Sequence, residues 1–311
     1  MNSQLRELQS LLSSNGRLLI TDDEYRKALL ELLPLTQGAL VGNDYPTYKK
    51  IVSEELSALS LNNDINLTDQ YTADDTPVNS LAYYRIKGLI TSSYYWRFST
   101  KEFEQDLLHA EQNPGISCHF LHITSGGGEA WYLDRLSETM RSLSKPIYVF
   151  IEKLCGSAAY YIACHGSVVK ALTPNDLIGC IGTMISFWNL DSYFESIGFK
   201  KIEEYATKSD LKNKKYNDLN TGKPKQFIEE ELNPLQEQFE STVRGCRPQI
   251  AALPEDHPVV RGETYMGNIA QEVGLIDGII KFDEALEEAY DLGIKWSESQ
   301  LQQRNRALSL I

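Results

Sequence analysis

Two glycine-rich runs and one serine carry the chemistry this sequence offers. Thr124-Ser125-Gly126-Gly127-Gly128 closes one apolar run, and Cys155-Gly156-Ser157-Ala158-Ala159 closes the next. Each places glycine where a predicted strand hands over to a helix. A backbone without Cβ lets peptide N–H groups approach a ligand closely. A helix beginning there adds unpaired N–H groups and the positive end of its dipole. Such a place stabilises an oxyanion, and Ser157, flanked by small residues, is placed to act beside it as a nucleophile. Taken alone, Ser157 is equally an ordinary helix N-cap, and Gly126 to Gly128 equally a tight turn or a phosphate loop. Their order and separation favour the catalytic reading.

A serine hydroxyl needs a base within hydrogen-bond reach. The chain has 5 histidines, and none is well placed. His165 lies on the same predicted helix as Ser157, about 12 Å along it at ~1.5 Å per residue. His119 and His122 precede the first glycine run, His109 sits on a surface helix, and His257 in a proline-flanked loop. Lysine can replace histidine only when neutral, which requires a desolvated site. A lysine-rich stretch, residues 207–215, offers Lys208, Lys212 and Lys214.

The elements that must hold these residues alternate. Strands are predicted over 82–91, 117–124 and 146–152, and helices over 99–114, 128–143 and 156–166. Ser99 is an N-cap candidate. A longer helix is expected over 227–250 in spite of Pro234. Strand–helix alternation at this spacing implies a parallel sheet with right-handed crossovers, hence an α/β domain over residues 80–295. Glycine turns at the carboxyl ends of such strands are where ligands bind. Residues 1–75 read as a mainly helical N-terminal accessory region, from the spacing of Leu8, Leu11 and Leu12 and of Ala28, Leu29 and Leu32. Its polar end, residues 60–77, reads as a linker. Residues 296–311 read as a mobile tail.

A net charge of −13 argues against nucleic-acid binding. No apolar stretch is long enough to predict a transmembrane helix, and the first thirty residues lack the pattern of a signal peptide. The expectation is a cytoplasmic protein. Cys118, Cys155, Cys164, Cys180 and Cys246 form no C-x-x-C pair. They read as buried thiols in a reducing compartment, with no disulfide framework, zinc site or other cofactor expected.

From the strand at 117–124 to about residue 278 the chain resembles signal peptide peptidase A and the phage capsid (prohead) proteases, serine/lysine peptidases on a Clp/crotonase-type fold. The family's D-S-P-G-G turn appears as Thr124 to Gly128, and its lysine-proline strand as Lys145-Pro146-Ile147-Tyr148-Val149. Its nucleophile turn appears as Cys155 to Tyr161, and its G-S-I-G segment as Gly179-Cys180-Ile181-Gly182. Its late block appears as Gly262-Glu263-Thr264-Tyr265 and Ala270 to Asp277. The resemblance implies that Ser157 is the nucleophile and that the N–H groups of Gly127 and Ala158 form the oxyanion hole, with Gly128 supporting the turn. It implies a lysine base, best matched by Lys212 when one residue is deleted after Ser209, with Lys208 and Lys214 as alternatives. Thr124 replaces an aspartate and Gly126 a proline. Cys180 replaces a serine that helps orient the lysine, and a thiol is a weaker hydrogen-bonding group.

These implications give an intracellular endopeptidase acting on a protein or peptide substrate, in phage or prophage capsid maturation or in a signal-peptide-peptidase-like role. They also give a homo-oligomer whose serine and lysine can come from neighbouring units. Two alternatives belong to other classes. A crotonase-like acyl-CoA enzyme uses two glycine oxyanion turns but needs neither Ser157 nor Lys212. A catalytically weakened homologue would serve as an oligomeric assembly protein.

Overall fold

In the computed structural model, residues 18–20, 48–60, 65–92, 97–186, 195–200 and 202–309 are described. The centre is a parallel sheet built from the apolar runs. Its strands are β2 (Leu67–Thr68), β3 (Ser80–Lys87), β4 (Ile116–Ser125), β6 (Ile147–Gly156), β7 (Val168–Ala171) and β10 (Gly278–Ile279), in spatial order β10-β7-β6-β4-β3-β2. β3 and β4 are buried almost throughout, as expected of parallel strands covered on both faces. Alternate residues serve opposite faces. Ala82, Tyr84, Leu121, Ile123, Val149 and Ile151 belong to one core, and Leu81, Tyr83, Phe120, Tyr148 and Phe150 to the other. In the second core the register Tyr83↔Phe120↔Tyr148 stacks three rings across neighbouring strands, at centroid distances of 6.2 and 5.6 Å.

Helix α2 (Thr100–Gln112) starts where expected, with the Ser99 hydroxyl accepting from the N–H of Glu102. It covers the first core with α3 (Leu133–Ser142) and α4 (Ala158–Ala163). β6 changes neighbours along its length. Residues 148–151 pair with β7, and residues 154–156 pair with β8 (Leu177–Gly179), whose other edge carries the antiparallel β9 (Thr264–Met266). Lys153, at φ 69°, marks the bend between the two halves.

Four expectations change. Residues 128 and 129, read as the start of a helix, belong to strand β5 (Gly127–Glu129), and α3 begins only at Leu133. After helix α5 (Lys214–Asn220), the helix expected over 227–250 is a π-helical turn, Ile228–Leu232, followed by α6 (Asn233–Cys246), and α7 (Gly267–Glu272) comes later. Pro234 has no N–H to donate to the preceding turn, so it sits in the first turn of a new helix, where that loss costs nothing. The polar stretch 60–77 is more than a linker. It supplies edge strand β2, and Tyr71 stacks on Tyr84 at 4.8 Å and donates to the carbonyl of Tyr83. The residues read as a tail continue the last helix, α8 (Phe282–Leu308). Beyond Gly293 the sequence holds neither glycine nor proline, and its Gln, Arg, Glu and Leu residues favour helix. α8 packs on the second core so closely that a Cβ on Gly293 would lie 2.3 Å from the Ser117 hydroxyl oxygen. The helical spacings around Leu8 and Leu29 lie outside the described residues. Between them, β1 (Leu18–Ile20) pairs antiparallel with β5, and after them helix α1 (Tyr48–Ser60) covers the sheet beside β3.

Candidate active site

Parallel pairing of β4 with β6 fixes where the two glycine runs meet. The register slips after Ile123 and resumes at Ser125↔Cys155, so both turns leave the sheet side by side. β5 then lies against α4. Ser157 stands at the junction of β6 and α4 with φ 54° and ψ −121°. A residue with a side chain adopts such a conformation at a cost of on the order of 1–3 kcal/mol. Sharp strand-to-helix turns of this kind present a nucleophilic serine in hydrolases. The turn is held on both sides. The N–H of Ser157 donates to the Gly179 carbonyl at 2.9 Å, and its carbonyl accepts from the N–H of Tyr161 at 2.9 Å. The residue is 0% exposed, and its hydroxyl has only a long contact, 3.5 Å, to the carbonyl of Gly182. The side chain makes no capping bond to the helix, so the bland N-cap role is not what holds it there.

Ala158 is the first residue of α4, and its N–H has no intrahelical acceptor. The N–H of Gly127 donates to the Ser125 hydroxyl at 3.1 Å and must share or release that bond to receive an oxyanion. Gly128 is required by close approach, since a Cβ there would lie 1.9 Å from the Ile90 carbonyl oxygen. The N–H of Ile90 donates to the Gly127 carbonyl, and the N–H of Glu129 donates to the Ile90 carbonyl. Strand alternation therefore turns the N–H and carbonyl of Gly128 toward the other edge, where Leu19 of β1 is its register partner.

Thr124, where the resembling family has aspartate, accepts from Arg85, which also binds Glu55 of α1 and the His122 carbonyl. The accessory helix is thus tied to the first glycine turn through one guanidinium. Cys180 has φ 53°, its N–H donates to the Glu263 carbonyl, and burial pushes its thiol up. It lines a cleft with Gly182, Thr183, Gln236, Val260 and Arg261. Gln236 of α6 was not legible as a site residue. Its side chain accepts from the N–H of Thr183 and donates to the carbonyl of Val260, pinning the segment beside Ser157. A polar residue among the helix's apolar positions was the one available signal.

Lys212 lies apart from these groups. It is exposed, the pocket beside it is lined, among the described residues, by residues 202–213, and no hydrogen bond joins it to Ser157. Lys208 is exposed as well. Lys214 forms an ion pair with Asp218, and Lys215 one with Glu231. His165 is bonded to Ser137 at 2.8 Å, away from Ser157. His119 and His122 bond to Glu111 and Glu152, and burial depresses both imidazoles.

The model of peptidase family S49 matches residues 139–294. A Methanocaldococcus jannaschii protein that bears a protease name is 23% identical over 190 residues, 58% of this chain and 58% of its own length. Protease 4 of Haemophilus influenzae is 24% identical over 190 residues, 60% of this chain. The chain spans only 30% of that second relative's length. Among solved structures, a lysine-to-alanine mutant of a membrane-bound stomatin-specific protease in complex with a substrate peptide is 13% identical. It covers 69% of this chain and 80% of its own, at a TM-score of 0.42. An enoyl-CoA hydratase/isomerase family member is 12% identical, covering 74% and 82%, at 0.39. Among the described residues, no helix is long and apolar enough to cross a membrane.

Proposed function

Because this chain belongs to peptidase family S49, we propose that it is a serine endopeptidase with Ser157 as nucleophile and Lys212 as base. The observation that carries the reading is the strained, buried turn of Ser157, set beside the glycine turn by the pairing of β4 with β6. The Ser157 oxygen attacks the scissile carbonyl while the neutral lysine takes its proton. The oxyanion is received by the N–H groups of Ala158 and Gly127. The protonated lysine returns the proton to the leaving amine, and water, deprotonated by the same lysine, releases the acyl group and restores the hydroxyl. Membership in a peptidase family sets the acyl-CoA alternative aside.

The substrate adds as an extended strand on β5, where the N–H and carbonyl of Gly128 face outward. β1 of the same chain sits on that edge, so the substrate displaces it.

The base needs a desolvated place, and its own segment does not supply one. Ile202 and Leu211 on that segment are 78 and 72% exposed. Apolar exposure of this kind is covered by a partner. Our reading is a closed homo-oligomer in which this segment of one copy covers the Ser157 site of the next. The finer role, capsid maturation, rests on the likeness to prohead proteases. Finding capsid and portal genes beside its gene would support that role, and a neighbourhood without them would remove it. A fluorophosphonate probe tests the activity itself, with covalent labelling of Ser157 expected. Failure to label would return the weakened assembly-protein reading.

A further inference from the structure

The far end of the helix that begins at Ser157 holds a second reactive group. Cys164 closes α4 and Cys246 ends α6. With His165 between them, the two sulfurs and one ring nitrogen lie within 4.8 Å of one another. None of the three takes part in peptide cleavage. The imidazole is committed on both sides. Nδ1 faces the Tyr161 carbonyl at 3.0 Å, and Nε2 faces the Ser137 hydroxyl at 2.8 Å. A carbonyl accepts only, so Nδ1 carries the proton, and the ring lone pair points at Ser137, away from the sulfurs. The cluster is therefore poor as a metal site and reads as thiol chemistry.

The two sulfurs are unlike. Cys164 is 1% exposed, and its sulfur lies 3.2 Å from the Tyr161 carbonyl oxygen. Cys246 is half-buried. The guanidinium of Arg141 lies over its neighbour Gly245, 3.9 Å from where a Cβ would stand. A hydrogen bond from Cys164, then His165 and Arg141, favour the Cys246 thiolate, while burial pushes the Cys164 thiol up. A partly exposed cysteine within reach of a buried second one is the arrangement of a peroxide-sensing pair. Cys118 and Cys155 are fully buried, with thiols pushed up by burial, and Cys180 has no second cysteine beside it in the cleft it lines.

We propose that Cys246 and Cys164 form a two-cysteine oxidation site for hydroperoxides. The Cys246 sulfur attacks one peroxide oxygen and the O–O bond breaks. The other oxygen leaves with a proton as water or alcohol, and Cys246 becomes a sulfenic acid. Cys164 then gives up its proton and attacks the Cys246 sulfur. The S–O bond breaks, hydroxide leaves with that proton as water, and a disulfide remains. Two thiols lose two electrons and one peroxide gains them. The bond ties the end of the nucleophile helix to α6, the helix whose Gln236 pins the segment beside Ser157.

The test uses the full-length protein, a modest excess of hydrogen peroxide, alkylation of remaining thiols and peptide mapping without reductant. The expected product is a Cys164–Cys246 linked peptide, lighter by two hydrogens and returned to free thiols by dithiothreitol. In Cys164→Ser, dimedone should tag Cys246. In Cys246→Ser, Cys164 should stay unmodified. Oxidation confined to Cys180, or no linked peptide from the parent protein, overturns the proposal. The readout is chemical, so it stands whether or not Ser157 is the nucleophile.

Discussion

The segment around Ser157 and the segment around Lys212 are built in opposite ways. Ser157 lies at the end of a central strand, 0% exposed, with its backbone held by Gly179 and Tyr161 and its conformation strained. Around Lys212 the chain is exposed, its bonds run to near neighbours in sequence, and large apolar side chains face solvent. The first region is finished within one chain. The second carries the residue types of a site without the burial a neutral lysine needs. A fold stores strain where the surrounding structure over-determines it, and it leaves apolar surface where something else covers it.

The sharpest way to break the comparison is at the finished region. Ser157→Ala should lower peptide turnover by on the order of 10⁴-fold or more and abolish fluorophosphonate labelling. The circular dichroism spectrum should be unchanged, since Ala fits the turn. Substantial residual turnover in that variant removes Ser157 from its role. At the unfinished region, Lys212→Ala should cost on the order of 10²–10⁴-fold in kcat, with Lys208→Ala and Lys214→Ala near parent activity. A dead Lys208→Ala would move the base to Lys208 and keep the chemistry. In the parent enzyme, kcat/KM should rise toward alkaline pH, because only the deprotonated amine accepts the serine proton. A flat profile would argue against a lysine base.

Smaller effects refine the walls of the site. Gly128→Ala forces a Cβ to within 1.9 Å of the Ile90 carbonyl oxygen. It should destabilise the protein by roughly 1–3 kcal/mol, seen as a lower Tm, and loosen β5. Leu19→Pro removes the N–H that β1 offers to Gly128. If β1 and substrate compete for that edge, KM should fall a few-fold while kcat stays. An unchanged KM would show that substrate docks elsewhere.

Local features made most of the finished region legible. The apolar runs of β3, β4 and β6, the Ser99 cap, and the order of the two glycine turns all express themselves within a few residues. What the sequence concealed depends on distant partners. Gly127 to Glu129 is a strand because Ile90 and β1 pair with it, and neither is near it in sequence. Residues 67–68 read as linker because two residues of edge strand leave no periodicity. Gln236, and the approach of Cys164 to Cys246, arise from α6 packing back on the nucleophile helix. The lysine-rich stretch is largely exposed in a single copy. Whether a neighbour buries it is not written in local pattern at all.

That question has a direct measurement. Ser157→Ala and Lys212→Ala chains carrying different tags are co-expressed, and the mixed assembly is isolated through both tags and assayed on a casein-type substrate beside each inactive parent. Sites shared between copies predict recovered activity in the mixed assembly alone, because a contact in which the Lys212→Ala chain gives the serine and the Ser157→Ala chain gives the lysine holds both groups intact. A mixed assembly as inactive as its parents, or a parent protein fully active as a monomer by light scattering, would contradict a dyad drawn from two copies.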